Sequence, residues 1–239
     1  MFTLLNKAKN WSGSFRVEAI EVLCSVAFLL LFSLSPQLWF GLNELPTAPI
    51  VEGLVLPEFL NILLVSALLL AAILLPFDRS GWMSLSAAYL VIFLICYDIH
   101  RFQEVTLVFV GAFLLIGLFK RGHLLANQTL QCFVLLLFAQ MGIGGLMKLN
   151  SYYEQNVFNW LIQPLSQWPL YKYYHYLWFA VPLVEIGTVV CLLFKKTRGF
   201  GWLLLVSYHL VMFLLMGPIG VNYGRIHWVS HVLFPIILL

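Results

Sequence analysis

The sequence predicts an all-α, polytopic transmembrane bundle of about eight helices, with an aromatic helix lying in the outer interface. Hydrophobic residues make up 62% of the chain and charged residues 10%, which is more apolar surface than a water-soluble domain of 239 residues can bury. These residues fall into separated runs long enough to cross about 30 Å of hydrocarbon. Lysine and arginine concentrate in alternate loops between the runs, as expected of cytoplasmic loops. The whole chain, 1–239, reads as one transmembrane domain.

The first run, 17–40, follows "NKAKNWSGSFR". It is too long for the core of a signal peptide and has no small-residue cleavage site behind it, so it is expected to be retained as a helix. Further runs cover 58–76, 81–98, 104–119, 129–147, 174–194 and 200–216, and an eighth starts near 226. Seven helices is the alternative count. The runs 81–98 and 104–119 are short, which calls for little tilt or a local break. The last run, "IHWVSHVLFPIILL", is still apolar at residue 239, as expected of a chain that is shortened there or ends inside the membrane.

With the N-terminus in the cytoplasm, the inner loops receive Lys7, Lys9, Arg16, Arg79, Lys120, Arg121, Lys195, Lys196 and Arg198, nine of the thirteen basic residues. The outer side then receives the acidic loop 41–57, the turn "DIHRFQE", the segment 151–173 and the loop "GPIGVNYGR". Asp98, His100, Arg101, Lys148, Glu154, His175, Arg225 and His227 are thereby placed in the outer half. The expected location is the cell membrane, as a multi-pass protein of a bacterial inner membrane.

Segment 151–173, "SYYEQNVFNWLIQPLSQWPLYKY", is polar and aromatic, and Tyr and Trp favour the headgroup region. Val157, Phe158, Leu161 and Ile162, followed by Pro164, fit an interfacial helix that caps a cavity. A belt of aromatics with no site beneath it has the same pattern. Trp160 lies in this segment and is a candidate for cofactor binding.

The net charge of +3 comes from scattered basic residues with no polybasic run, so no nucleic-acid surface is expected. Cys24, Cys96, Cys132 and Cys191 stand singly in apolar runs without C-x-x-C spacing, which argues against a redox dithiol, a zinc site or a disulfide framework. His227 and His231 are four apart, a weak pattern on its own, and no metal site is expected.

Three polar residues fall near mid-membrane, where an ionisable group costs roughly 3 kcal/mol and points to a site. They are Gln140, Glu185 in "VPLVEIGTVV" and His209 in "LVSYHLVMF". Glu185 and His209 stand halfway along consecutive helices, so a contact between them is expected. Such a bond can also serve only to fasten two helices. Lys148 ends an apolar run and follows Gly142, Gly144 and Gly145 in "QMGIGGLMKLN". Glycines allow close approach of a helix or a flat ligand. A lone terminal lysine, however, more often snorkels to the lipid surface. Asp98 and Arg101 form either an interface ion pair or part of a site.

Four motifs, "GLMKLN", "YDIHRFQ", "VSYHL" and "GPIGVNY", resemble the HTTM superfamily, which includes the vitamin K-dependent gamma-glutamyl carboxylases. The resemblance covers most of the chain from about residue 16. In "MKLN", Lys148 falls on the lysine implicated in those carboxylases as the base in vitamin K hydroquinone oxidation, and His209 falls on a histidine of a Tyr-Phe-His type stretch. "GLMKLN" with "VEIGTVV" also resembles the smaller DoxX-type membrane proteins, linked to quinone and thiol metabolism. The carboxylase pattern runs on from its Asp to a Trp and then a His. Here Asp98 leads to Phe102 and Val105, and the histidine is missing. Without a large extramembrane domain after the last helix, full carboxylation of protein glutamates is not expected.

What the resemblance implies is an outward-facing lipophilic pocket for a quinone or quinol, related to the membrane half of the carboxylases and linked to redox chemistry. Lys148 and His209 are the catalytic candidates. Gly144, Gly145, Gln140, Glu185, Asp98, Arg101 and Trp160 are the cofactor-binding candidates. A lysine in an apolar pocket can act as a base because desolvation disfavours its charged form. Two other functions fit the same sequence. One is a non-catalytic membrane subunit or assembly factor serving a membrane or periplasmic partner, and the other is a small lipid-handling or transport protein.

Overall fold

The structure is a computed structural model that describes residues 2–40, 48–50, 56–169, 171–217 and 231–232, with the side chains of 2–12, 104 and 175 outside that description. Among the described residues every regular element is helical. In chain order these are α1 (Phe2–Leu34), α2 (Pro36–Phe40), α3 (Glu58–Leu74), α4 (Trp82–Tyr97), α5 (Glu104–Lys120), α6 (Ala126–Met147), α7 (Asn159–Leu161), α8 (Tyr171–Tyr174), α9 (Ala180–Leu193) and α10 (Arg198–Met216).

Among the described residues four stretches are long and apolar enough to cross a membrane: Gly13–Leu34, Glu58–Phe77, Ala126–Met147 and Arg198–Met216. Trp82–Tyr97, Val105–Lys120 and Ala180–Leu193 are shorter apolar helices. The run expected over 174–194 is helical in pieces. Tyr171–Tyr174 and the tighter turn His175–Leu177 precede an α9 of 14 residues, which is about 21 Å long at a rise of about 1.5 Å per residue. Pro182 sits in its first turn, where a missing N–H removes no helical bond. The eighth run near 226 lies outside the described residues apart from His231 and Val232.

The contacts divide the chain into two compact units, Met1–Leu136 and Leu137–Leu239, so the boundary falls within α6. In the first unit, α1 buries a stripe at helical spacing, Val17, Ile20, Cys24, Phe28 and Leu31. Phe28 packs edge-on against Trp39, Phe109 and Phe113 at 5.7, 5.3 and 5.4 Å between centroids, a preferred aromatic geometry. Gly81 has φ of +79°, and a Cβ there would stand 2.7 Å from the Gly117 carbonyl oxygen. The α4–α5 crossing therefore needs glycine both for the turn and for the approach. Leu63, Leu70, Tyr89 and Phe59 are exposed on the opposite faces, as a bilayer permits.

In the second unit, α9 and α10 form a hairpin closed by the Thr197 hydroxyl, which donates to the Cys191 carbonyl at 2.9 Å. Gly201 permits the approach, since its Cβ would lie 2.9 Å from the Leu192 nitrogen. Within the segment 151–173, a π-helical turn, Tyr153–Phe158, is followed by α7 and a 3-10 turn through Pro164. Tyr153, Phe158 and Ile162 are buried, and Val157, Tyr171, Tyr174, Trp178 and Val181 pack on them.

Candidate functional site

The second unit holds most of the sequence's candidates, and two of them, Lys148 and Gly145, meet a third, Glu185. Glu185, on the first half of α9, is 3% exposed. Lys148, one residue past the end of α6, places its Nζ 2.5 Å from Glu185 Oε1. The lysine side chain is 24% exposed and turns toward the protein instead of away from it. Tyr208 on α10 donates its hydroxyl to the same Oε1. The contact expected between Glu185 and His209 is thus replaced. Glu185 takes its hydrogen bonds from Lys148 and Tyr208, and His209 Nδ1 meets His231 Nδ1 at 3.0 Å. One residue along a helix turns a side chain by about 100°, which is enough to exchange Tyr208 for His209 at a given depth.

Gly145 explains how the ion pair comes together. A Cβ at this position would lie 2.9 Å from Ile186 Cγ1, 3.1 Å from Glu185 Cβ and 3.1 Å from the Pro182 carbonyl oxygen. The end of α6 therefore presses against the start of α9. Gly142 has nothing within 4 Å of its Cβ position, and Gly144 is buried.

Several buried polar atoms of the second unit have no hydrogen-bond partner among the described residues: Glu185 Oε2, the Tyr153 hydroxyl, Thr188 Oγ1 and Gln140 Oε1. Such orphans are rare because each forfeits its hydration. Burial first, and the nearby charge of Glu185 second, push the Tyr153 phenol above its ordinary range, so it remains a hydrogen-bond donor at neutral pH. Glu185 and Thr188 are three residues apart and share one face of α9. The Tyr208 ring stands edge-on to His209 and His231 at 5.2 and 6.3 Å. Trp160 is half-buried in α7.

Asp98 and Arg101 lie in the first unit and do a different job. Arg101 is fully buried. Its Nε donates to the Leu38 carbonyl at 3.1 Å, and its Nη2 donates to the Trp39 carbonyl at 2.8 Å and to Asn61 Oδ1 at 3.0 Å. The guanidinium thus caps the last carbonyls of α2, which have no intrahelical donor. Asp98 Oδ2 is 4.0 Å from Arg101 Nε, and its Oδ1 is 2.7 Å from His100 Nδ1.

Sequence reasoning missed Tyr153, Tyr208, Thr188 and the partner of Lys120. Thr188 was marked only by its position three residues after an intramembrane acid in "VEIGTVV". Lys120, expected to be one of the inner loop cations, donates to Glu21 Oε1 on α1, to the Asp78 carbonyl and to the Leu75 carbonyl, the last at 3.2 Å. It ties α1, the end of α3 and α5 together. Among the described residues no group of three or more His, Cys, Asp or Glu side chains is placed to hold a metal ion.

Comparison with protein-family models, with curated protein sequences and with solved structures finds no match for the chain.

Proposed function

We propose that this is a multi-pass membrane protein whose second unit binds the head group of a lipophilic quinone or quinol and exchanges protons with it. The observation that carries this function is a partly buried Lys148–Glu185 ion pair whose second carboxylate oxygen, together with the Tyr153 hydroxyl, has no hydrogen-bond partner among the described residues. One of these orphans accepts hydrogen bonds and the other donates. A ring carrying hydroxyl or carbonyl oxygens is the apolar ligand that satisfies both.

When bound, a quinone supplies two-electron, two-proton redox chemistry. The chain's residues supply binding and proton handling. Tyr153 donates to a carbonyl oxygen, Glu185 Oε2 accepts from a hydroxyl, and Lys148 keeps a balancing positive charge beside the carboxylate. Tyr208 holds Oε1, which leaves Oε2 as the free end of the carboxylate. The resemblance of "MKLN" to the HTTM superfamily supports a functional Lys148. Eight crossings, the count expected from the apolar runs, and a cytoplasmic N-terminus, the orientation expected from the charge pattern, open this site toward the outer leaflet beneath segment 151–173.

Two experiments test the proposal. Purified protein is titrated with a short-chain 1,4-benzoquinone while tryptophan fluorescence is followed. Saturable quenching that is lost in Glu185→Gln is expected, and unsaturable quenching equal in both proteins refutes the function. For the orientation, a cysteine placed at Gln155 should react with an impermeant thiol reagent from outside intact cells. Reaction only after permeabilisation reverses the topology.

A further inference from the structure

We infer that Thr188 is a ligand-contacting residue that reads a second oxygen, one helical turn beyond the Lys148–Glu185 pair, and so makes the site specific for rings oxygenated at both ends. The inference rests on the proposed quinone-binding function.

Thr188 is fully buried, and its hydroxyl has no hydrogen-bond partner among the described residues. A threonine within a helix ordinarily satisfies its hydroxyl by donating to a carbonyl one turn back, as Thr129 does to Leu125 at 3.0 Å in α6. Thr188 does not. It shares a face of α9 with Glu185, whose Oε2 is likewise buried and unpartnered. Three residues of helix separate the two by about 4.5 Å along the axis. Two polar atoms are therefore set at two levels of an otherwise apolar helix face, lined by Pro182, Glu185, Thr188 and Leu192.

That spacing carries the specificity. A ring with oxygens at opposite ends spans roughly 5 Å, a six-membered ring plus two C=O bonds of about 1.23 Å each. With one oxygen at the level of Glu185 Oε2, the other comes to the level of Thr188, one turn further along α9. A hydroxyl can donate to a carbonyl or accept from a hydroxyl, so Thr188 suits either oxidation state of the far end. A phenol with a single oxygen reaches only the upper level and leaves Thr188 unsatisfied. Sites that hydrogen-bond a ligand group discriminate strongly against analogues that lack it.

The test uses the full chain in detergent, a decyl-substituted 1,4-benzoquinone, and 4-decylphenol as the one-oxygen probe. In the wild type the quinone should bind more tightly than the phenol. Thr188→Val, which keeps the shape and removes the hydroxyl, should weaken quinone binding by about tenfold, the loss of one buried hydrogen bond, and leave the phenol's affinity unchanged. Thr188→Ser should restore quinone binding, and Thr188→Ala serves in place of valine if the latter melts well below wild type. Equal weakening of both probes, or none of either, overturns the inference. Quinone binding that depends on Glu185 but not on Thr188 overturns it while leaving the proposed function intact. Failure of both probes to bind the wild type removes the function and the inference together.

Discussion

Replacing Lys148 with methionine tests whether the lysine serves a site or the lipid surface. The substitution keeps the length of the side chain and its fit to an apolar surface but removes the charge opposite Glu185. The carboxylate left behind is 3% exposed and retains only Tyr208. Breaking a buried ion pair from one side costs about 3–5 kcal/mol. Here Lys148 is 24% exposed and Tyr208 remains, so solvent screening and the surviving bond lower the figure to about 2–3 kcal/mol. In a chain of this size each kcal/mol shifts the melting temperature by about 2–4 °C, so Lys148→Met should melt roughly 4–12 °C lower. Glu185→Gln should cost less, because the freed ammonium can turn toward water. The double variant should be about as stable as Glu185→Gln alone, since the two groups act as one unit. A thiol-reactive dye reports the melt directly, because Cys24 is buried and Cys96, Cys132 and Cys191 are half-buried. If Lys148→Met melts within about 1 °C of wild type, or if the two single losses add, the lysine is a lipid anchor and the ion pair does not govern it.

Other perturbations discriminate among the structural claims. Gly145→Ala places a methyl group against the Pro182 carbonyl, which cannot move without bending α9. It should cost about 1–3 kcal/mol and weaken the ion pair, whereas Gly142→Ala, with open space around it, should be neutral or stabilise the helix by up to about 1 kcal/mol. Equal melting of these two variants contradicts the α6–α9 contact. Arg101→Lys keeps the charge but loses the fork that reaches Leu38, Trp39 and Asn61 together. A loss of about 2–4 kcal/mol is expected, and unchanged stability removes Arg101 as a helix cap. At Asp78, burial acts to raise the carboxyl, but hydrogen bonds from Ser80 and Met83, with Lys120 nearby, outweigh it and hold the group below its ordinary range. A depressed folded value means the stabilisation is complete above the ordinary carboxylate range and lost as pH falls through the folded value. Wild type should therefore lose its melting advantage over Asp78→Asn on acidification below about pH 4; an advantage independent of pH excludes the carboxylate as its source.

Composition and hydropathy alone determined the membrane class, the position of the main helices and the shortness of 81–98 and 104–119. These properties depend on local chemistry averaged over a run of residues. Position along the apolar runs also located polar residues in depth, which is why Gln140, Glu185, His209 and Lys148 stood out in the sequence. Only the tertiary structure decided which of them meet. Depth along a helix is read from residue number, but the direction a side chain faces depends on how the helix rolls against its neighbours. Tyr208 and His209 differ by one step of about 100°, and that roll gives Glu185 to the tyrosine and His231 to the histidine. The same holds for Glu21 and Lys120, 99 residues apart in sequence. Gly145 and Gly142 are likewise indistinguishable until α9 packs against one of them. The sequence leaves Arg101 as either half of an interface ion pair or part of a site, because nothing local reveals that the carbonyl ends of α2 fold back over it.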